Sequence, residues 1–357
     1  MVLPKTIRVD PLAPDPEKIA EAVEVLSKGG IVAFPTETVY GLGADAYNPR
    51  AIRRIFEVKG RPMDNPVILH ISSFNMLFEV VEDVSSDIID ILRVLWPGPF
   101  TVVLKKRPSI PDEATAKLPL VAVRMPAHPV ALALIEKLGR PIAAPSANRS
   151  GRPSPTTAEH VIEDLGDSVD LVIDGGETFL GVESTVVDLT RKPPILLRPG
   201  PVDPEYLERV VGIKVSIPDF ARGLGEAEKA LAPGMRYRHY APDKKLILIE
   251  DAPGIARCVE DLAKDLIGKG YKLCIVGYDE LSYLGDLLGV EYISMGSKGN
   301  KFEIAKNLFK ALRSVDKTNA DLCIAVGIDE KGIGLAIMNR LRKASGGNII
   351  KCGDPYP

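Results

Sequence analysis

Hydrophobic residues in the first part of the chain alternate between helical and strand-like spacing. Apolar residues recur at helical intervals over 15–28, and paired glycines at 29–30 end that helix. An uninterrupted apolar run over 31–34 then predicts a short strand. Further helices are predicted over 50–58, 72–80, 85–95, 128–138 and 157–165, and further strands over 67–71, 100–104, 121–123, 141–144, 171–173 and 184–189. This alternation predicts a mixed α/β domain over residues 1–215.

The last third of the chain repeats a strand followed by a helix. Strands are predicted over 246–249, 273–276 and 322–326, and helices over 254–268, 302–315 and 333–344. Because each strand is followed by a helix, the pattern predicts a small parallel, Rossmann-like sheet covered by helices over residues 245–357.

Residues 216–244 join the two predicted domains and have the Pro- and Gly-rich composition of a linker. The segment 235–240 within them is unusually aromatic and basic. Its Tyr237, His239 and Tyr240 have two interpretations: they pack the domains together, or they form a lid whose rings cover a bound base.

Composition places the chain among ordinary globular proteins. The 357 residues are 45% hydrophobic and 26% charged, with a formal net charge of −3, which excludes a disordered chain and suits two domains. No apolar stretch is long enough to span a membrane, and because the N-terminal residues do not run from a basic stretch into an apolar one, we do not expect secretion. The four cysteines lie far apart without a C-x-x-C, so we expect no disulfide framework and no metal site, and a cytoplasmic location.

Positive charge is concentrated locally. Residues 1–220 carry a net charge of −6 and the remainder +3, whereas a bulk nucleic-acid binder has a broad basic surface. The stretch 121–152 nevertheless contains one acidic residue, Glu136, and five basic ones: Arg124, Lys137, Arg140, Arg149 and Arg152. This excess predicts a pocket that holds a small anion.

Several standard catalytic motifs are absent from the sequence. It contains no G-x-x-x-x-G-K-[ST], H-E-x-x-H, G-x-S-x-G or G-x-G-x-x-G, and it has four histidines in all. A P-loop NTPase, a zinc hydrolase and a serine hydrolase are therefore disfavoured.

Polar side chains instead recur where predicted elements end. Thr36 and Thr38 follow the first strand, where they either cap a following helix or face a crevice at the strand's carboxyl end. Lys59 and Arg61 follow a helix and have two interpretations. Either Lys59 is simply a basic residue in a last helical turn that a glycine caps, or Lys59 and Arg61 bind phosphate oxygens. His70 ends a strand, where it either packs or donates a hydrogen bond to a substrate.

Later strand ends carry similar groups. Arg124 ends a β-branched strand, where its charge needs either a structural Glu or a carboxylate ligand. Small residues precede Ser146 and Asn148, which lets backbone amides approach an anion closely. The segment Ser154–Thr156 is predicted to supply the N-cap of the next helix, and Ser154 belongs to the same group of polar residues. The remaining groups of this kind are Ser184 and Arg198. Because such groups recur at strand ends, we expect them to share one anion site.

The motifs around these residues resemble those of the YrdC family. They are 35–42 (PTETVYGL), 59–62 (KGRP), 96–99 (WPGP), 123–124 (VR), 145–151 (PSANRSG) and 183–188 (ESTVVD). With the second domain and the run 233–240 (PGMRYRHY), they resemble the long, two-domain form of that family. The resemblance implies an α/β protein with an N-terminal twisted mixed sheet that holds a concave pocket, and a smaller C-terminal α/β domain.

The resemblance also implies an activity. The enzyme would join L-threonine, bicarbonate and ATP into threonylcarbamoyl-AMP, with Mg²⁺ bridging the ATP phosphates. Pyrophosphate and water would be released, which makes it a nucleotidyltransferase. The product would pass to a threonylcarbamoyl-transfer complex that modifies adenosine in tRNA, while direct tRNA binding is expected to be weak or absent.

Roles for the candidate residues follow from the same resemblance. The family's Lys-x-Arg and Ser-x-Asn signature falls on the predicted catalytic residues Lys59, Arg61, Ser146 and Asn148. ATP contacts are predicted for these four and for Ser154, Arg198, Tyr237, His239 and Tyr240. A threonine pocket is predicted from Thr36, His70, Arg124, Ala144 and Ser184, with Arg124 holding the threonine carboxylate.

Two alternative functions remain at this stage. Hydrogenase-maturation proteins that contain a YrdC-like module transfer carbamoyl groups, but they carry zinc-finger-like regions that this chain lacks. An RNA-binding translation factor is the other alternative, against which the acidic balance of residues 1–220 counts.

Overall fold

The structure of the protein is a computed structural model that describes residues 3–227, 230–233, 235 and 239–353. Two separate sheets organise these residues. The strands of the first sheet are β1 (Lys5–Arg8), β2 (Val32–Phe34), β3 (Gly41–Asp45), β4 (Ile68–His70), β5 (Phe100–Lys105), β6 (Leu120–Arg124), β7 (Ile142–Ala144), β8 (Leu171–Asp174), β9 (Thr185–Asp188) and β10 (Ile195–Arg198). Their order is β1-β8-β2-β3-β7-β4-β6-β5-β9-β10, with parallel and antiparallel pairs mixed.

Helices cover this mixed sheet. They are α1 (Pro16–Ser27), α2 (Pro49–Lys59), α3 (Phe74–Val80), α4 (Ser86–Leu95), α5 (Asp112–Thr115), α6 (Pro129–Leu138), α7 (Ala158–Leu165), α8 (Pro204–Val211) and α9 (Asp219–Arg222), and a short 3₁₀ turn spans Gly166–Ser168. The apolar stripe of α1 is buried in one core cluster with that of α6, so Ile19 and Leu26 share a cluster with Leu134. Each such buried side chain stabilises the fold by about 1.5–3 kcal/mol relative to exposure.

The second sheet is wholly parallel. Its strands are β11 (Lys245–Ile249), β12 (Leu273–Gly277), β13 (Glu291–Ser294), β14 (Leu322–Val326) and β15 (Ile349–Ile350), in the order β13-β12-β14-β11-β15. Its helices are α10 (Ile255–Gly268), α11 (Tyr283–Leu288), α12 (Lys301–Val315) and α13 (Gly334–Ala344), with a 3₁₀ turn at Asp279–Leu281. The central strands β12 and β14 are buried along their whole length, as expected for a parallel sheet covered on both faces.

The predicted fold class is confirmed, and the differences are local. Strand β3 was not predicted because its sequence, GLGAD, alternates neither in size nor in polarity. Since β3 follows directly, the alternative in which Thr36 or Thr38 caps a helix is wrong. The prediction that the segment Ser154–Thr156 supplies the N-cap is also wrong, by one residue, because Thr157 is the N-cap of α7 and accepts from the His160 backbone N–H.

One disulfide departs from the sequence-based expectation. Cys258 on α10 is bonded to Cys352, with their Cα atoms 5.6 Å apart and a sequence separation of 94. The pairing was not predictable because only the docking of β15 beside β11 brings the chain end back to α10. Cys274 and Cys323 are buried and unbridged on the paired strands β12 and β14.

None of the helices in the described ranges is long and apolar enough to cross a membrane.

Candidate active site

One pocket lies where several strand ends of the first sheet meet, and it encloses about 660 Å³ of non-protein space that is partly open to solvent. Thirteen of the fourteen predicted site residues line it: Thr36, Lys59, Arg61, His70, Arg124, Ala144, Ser146, Asn148, Ser154, Ser184, Arg198, His239 and Tyr240. The fourteenth, Tyr237, lies outside the described residues. The groups that recur at strand ends along the sequence therefore face one cavity.

Lys59 is both the last residue of α2 and a buried pocket residue. Gly60 ends the helix in the left-handed conformation at φ 60°, as a Gly C-cap does. The Lys59 ammonium donates to the Ser146 carbonyl at 2.5 Å and also to the Asn148 carbonyl. Burial lowers the pKa of Lys59 well below its usual range, and Arg61 lowers it further. The helix-end and the pocket interpretations are thus compatible.

Arg61 is held by the loop that follows α2. Its Nε donates to the Asn65 carbonyl at 3.0 Å, and its Nη2 donates to the Pro66 carbonyl at 2.9 Å. The guanidinium carbon also lies 5.9 Å from the centroid of the Phe56 ring. These contacts fix the planar group at the pocket wall, where its charge and fork geometry suit phosphate oxygens.

The loop after β7 presents a serine and an asparagine that order each other. Ser146 Oγ donates to Asn148 Oδ1 at 2.5 Å, and Asn148 Nδ2 donates to the carbonyls of Arg149 and Arg152 at 2.8 and 2.9 Å. The small residue Ala144 precedes this loop and also lines the pocket. The side chains are therefore set before any ligand binds, which lowers the entropy cost of binding.

Arg124 reaches the pocket from the end of β6. Its Nη1 donates to Thr38 Oγ1 at 3.0 Å, and its Nε donates to the Gly98 carbonyl at 3.2 Å. Its Nη2 lies 2.7 Å from Glu37 Oε1, and both side chains are buried. A structural Glu does pair with this arginine, while its remaining N–H groups are still available to a carboxylate ligand.

Thr36 closes the turn that carries Glu37 and Thr38, the two side chains that contact Arg124. Its Oγ1 donates to the Val39 carbonyl at 2.6 Å and lies 2.8 Å from Thr38 Oγ1. The turn leads β2 into β3, so both hydroxyls face the pocket at a strand end.

His70 is a buried, neutral imidazole on the strand next to Arg124. Burial, with a further contribution from Arg124, lowers the pKa of His70 to about 3. Its Nδ1 has no hydrogen-bond partner within the described part of the chain. The ring therefore offers a polar atom to a ligand without adding charge.

We expect the His70 imidazole to stay neutral between pH 5 and 8. Its C–H resonances in NMR spectra should not titrate over that range, unlike those of a free histidine with a pKa of about 6.5. Because the folded pKa is depressed, the stability that the neutral ring contributes is complete above about pH 6.5 and is lost as the pH falls towards 3. A midpoint near 6.5 in the folded protein would contradict this prediction, and a His70→Asn variant identifies the resonance.

Arg198 and Ser184 form a second ordered pair. Arg198 donates through Nε to the Ser184 carbonyl and through Nη2 to Ser184 Oγ, both at 3.1 Å. Ser184 Oγ also lies 2.7 Å from Thr101 Oγ1. The end of β10 and the start of β9 are thereby locked together at the pocket.

The linker reaches the pocket through His239 and Tyr240. Tyr240 adopts a left-handed backbone conformation at φ 66°, and its ring stacks on Phe309 of α12 with centroids 5.3 Å apart. The His239 ring lies 5.5 Å from that of Tyr240. The next residue, Ala241, donates its backbone N–H to the Gly151 carbonyl at 2.9 Å. The linker aromatics are thus packed against both domains while they line the pocket.

Part of the predicted positive stretch points elsewhere. Arg140 pairs with Asp45, Lys137 donates to the Pro16 carbonyl, and Arg149 donates to the Asp164 carbonyl. Of the five basic residues of the stretch, Arg124 and Arg152 line the pocket. The excess of charge in the sequence therefore overstated what this stretch contributes to the site.

Two charged residues of this region were not predicted from the sequence: Glu183, which lines the pocket, and Arg340, which pairs with it. Glu183 was quoted within a motif but given no role, although its carboxylate lines the cavity and accepts from Ser154 Oγ at 2.5 Å. Arg340 lies on α13 of the second domain and donates to the same carboxylate. Nothing near Arg340 in sequence indicated a site, because its partner lies 157 positions away.

Metal-ligating side chains are not clustered among the described residues of the pocket. Across the ranges that the structure describes, no three His, Cys, Asp or Glu side chains are grouped so that they could hold a metal ion.

The chain is similar over nearly its whole length to proteins of one family. Residues 24–200 match the Sua5–YciO–YrdC model, described as "Telomere recombination", and residues 202–346 match the Sua5 C-terminal model, described as "Threonylcarbamoyl-AMP synthase, C-terminal domain". The chain is 48% identical over 341 residues to the threonylcarbamoyl-AMP synthase of Pyrococcus abyssi, covering 94% of this chain and 96% of that protein. It is 42% identical over 346 residues to that of Bacillus subtilis, covering 96% and 97%.

A solved structure has the same fold. The crystal structure of P. abyssi Sua5 complexed with L-threonine matches with a TM-score of 0.89 and 47% identity, covering 97% of this chain and 99% of that one.

Proposed function

The chain belongs to the Sua5–YciO–YrdC family, with the C-terminal domain of its threonylcarbamoyl-AMP synthases, and from that premise we propose how its pocket makes threonylcarbamoyl-AMP. The enzyme is a nucleotidyltransferase that consumes L-threonine, bicarbonate and ATP and releases pyrophosphate and water. The product serves threonylcarbamoyl modification of adenosine in tRNA.

The chemistry needs positioning more than it needs an enzyme nucleophile. The threonine amine combines with carbon dioxide from bicarbonate to give a carbamate, with loss of water. A carbamate oxygen then attacks the α-phosphorus of ATP, and pyrophosphate leaves. The protein must hold several anions in contact and in line, which lowers the barrier through orientation and electrostatic stabilisation.

The single observation that carries the assignment is the convergence of cations in one cavity. Lys59, Arg61, Arg124, Arg152 and Arg198 all line it. ATP carries roughly four negative charges, and a pocket of this charge offsets the repulsion between the nucleotide and a carbamate.

Individual roles follow from position. Lys59, Arg61 and Arg198 bind the phosphates or ribose of ATP. Ser146, Asn148 and Ser154 add hydroxyl and amide groups to the nucleotide site, and His239 and Tyr240 cover the nucleotide. Tyr237 is assigned to the same role by sequence alone.

The threonine subsite lies at the ends of β4, β6 and β7. Arg124 binds the threonine carboxylate through two N–H groups. The subsite is completed by Thr36, His70, Ala144 and Ser184.

Magnesium would enter as the complex of Mg²⁺ with ATP, so its ligands would be phosphate oxygens and water. This fits a pocket in which the described residues form no metal-ligand cluster. When bound, the ion neutralises charge on the leaving pyrophosphate.

The wider arrangement is proposed as follows. Residues 1–215 form the catalytic domain, 216–244 an interdomain linker that acts as a lid, and 245–357 the C-terminal domain. The protein works in the cytoplasm and passes its product to a threonylcarbamoyl-transfer complex that acts on tRNA, with little direct tRNA binding of its own.

Mass spectrometry of the complete reaction tests the assignment. Threonylcarbamoyl-AMP and pyrophosphate should form when ATP, threonine and bicarbonate are all present, and neither should form above background when any one is omitted. Pyrophosphate release that does not depend on threonine would contradict the proposed reaction. Wild-type protein boiled before the assay provides the blank.

A further inference from the structure

A buried side chain of the second domain pairs with a residue that lines the pocket. Arg340 on α13 is fully buried, and its Nε and Nη2 donate to Glu183 Oε2 at 3.1 and 3.0 Å. Its Nη1 donates to the Pro199 carbonyl at 2.5 Å, and its guanidinium carbon lies 5.5 Å from the centroid of the Tyr240 ring. One residue thus contacts the segments before β9 and after β10 and the linker.

Its partner Glu183 lines the pocket. Among the described residues that do so, Glu183 is acidic and every other charged residue is basic. The opposite oxygen, Oε1, accepts from Ser154 Oγ at 2.5 Å. Although burial opposes ionisation, Arg340 and Arg198 hold the pKa of the Glu183 carboxyl below its usual value. The carboxylate is therefore charged, and without compensation it would repel an anionic ligand.

We infer that Arg340 is a positioning residue for ATP that the C-terminal domain supplies to the catalytic pocket. By pairing with Glu183 it cancels the negative charge at the wall and holds the carboxylate that orients Ser154. The inference rests on the proposed assignment of this pocket to ATP. It gives the second domain a defined part in nucleotide binding, because a first domain alone would lack the guanidinium that pairs directly with Glu183 and would retain only the more general influence of Arg198.

The effect should scale with the charge of the ligand. ATP carries roughly four negative charges, whereas threonine is a zwitterion with no net charge. Loss of Arg340 should therefore weaken ATP binding most, ADP less and AMP least, and it should change threonine binding little. A purely structural role for Arg340 would weaken all four ligands alike.

Arg342 offers a matched control on the same helix. It is also buried, and it pairs with the carboxylates of Glu250 and Glu330. Neither carboxylate lines the pocket. Arg342→Met therefore removes a buried, doubly paired arginine of the second domain without exposing a charge to the nucleotide.

The experiment measures Kd for ATP, ADP, AMP and threonine by titration calorimetry in four proteins: wild type, Arg340→Met, Arg342→Met and the double variant Arg340→Met/Glu183→Gln. We expect Arg340→Met to raise the ATP Kd by about 10- to 50-fold and the threonine Kd by less than about threefold. The double variant should recover the ATP Kd to within about threefold of wild type, because it removes both charges and keeps an acceptor for Ser154. Arg342→Met should leave all four constants near those of wild type.

Equal weakening of ATP and threonine by Arg340→Met, or no recovery in the double variant, would overturn the inference. If Arg340→Met does not fold, as judged by near-UV circular dichroism, Arg340→Gln and Arg340→Gln/Glu183→Gln take its place with the same criteria, because glutamine also removes the positive charge. Wild-type protein that binds ATP yet makes no threonylcarbamoyl-AMP would contradict the proposed reaction alone, since the binding comparison does not depend on turnover.

Discussion

Replacing Lys59 by methionine should lower the rate of pyrophosphate release by at least about 100-fold, the loss expected when a fixed positive group at a developing charge is removed. The ammonium is buried at the junction of α2 and the loop after β7. Methionine keeps much of the side-chain volume but has neither the charge nor the N–H donors. Lys59→Met therefore removes the electrostatic contact that we propose Lys59 makes with the triphosphate, while it disturbs packing little.

Two measurements separate catalysis from folding in this variant. Loss of the ammonium leaves the Ser146 and Asn148 carbonyls without a donor, which should cost about 1–3 kcal/mol of stability but not the fold. Circular dichroism should therefore show a folded protein at 25 °C. An unfolded variant would favour the interpretation in which Lys59 serves only the helix end.

Lys106 provides the matched control for Lys59. It is mostly buried as well, and its ammonium donates to Asp112 Oδ1 at 2.6 Å and to Thr115 Oγ1 at 3.1 Å. It does not line the pocket. Lys106→Met should therefore retain the pyrophosphate-release rate of the wild type, and a comparable loss in both variants would contradict a specific role for Lys59.

Replacing Arg124 by alanine should raise the KM for threonine by about 10- to 100-fold and leave the KM for ATP within about threefold, because a bidentate contact to a carboxylate contributes about 1.5–3 kcal/mol. Arg124 lies beside Thr38 and His70 at the proposed threonine subsite. Steady-state pyrophosphate release with one substrate varied at a time measures both constants. Equal increases in the two KM values would refute the assignment.

The Glu37 partner must be controlled in this experiment. Arg124→Ala leaves a buried carboxylate without its cation, which destabilises a protein by about 3–5 kcal/mol. The double variant Arg124→Ala/Glu37→Gln removes both charges and should recover stability without recovering the threonine KM. Arg140→Ala removes an arginine that pairs with Asp45 away from the pocket and should keep both KM values.

The fold class, and most of the residues that line the pocket, could be predicted from the sequence. Periodicity placed helices such as α1 and strands such as β6 because spacing and burial are local properties of the chain. The motifs indicated the family, and the family indicated which residues line one pocket. This was possible because glycines and polar groups at strand ends are constrained by the residues adjacent to them in sequence. Lys59 and Gly60 illustrate this: the helix end and the pocket residue are adjacent in sequence.

The long-range pairings, in contrast, could be seen only in the folded chain. Arg140 counted toward an anion site in sequence but pairs with Asp45, and the Cys258–Cys352 disulfide joins segments that are distant along the chain. Arg340 carried no motif at all, yet it contacts the Glu183 carboxylate. A charge takes its role from whichever groups the fold brings within a few ångströms, and that proximity does not follow from local composition or spacing.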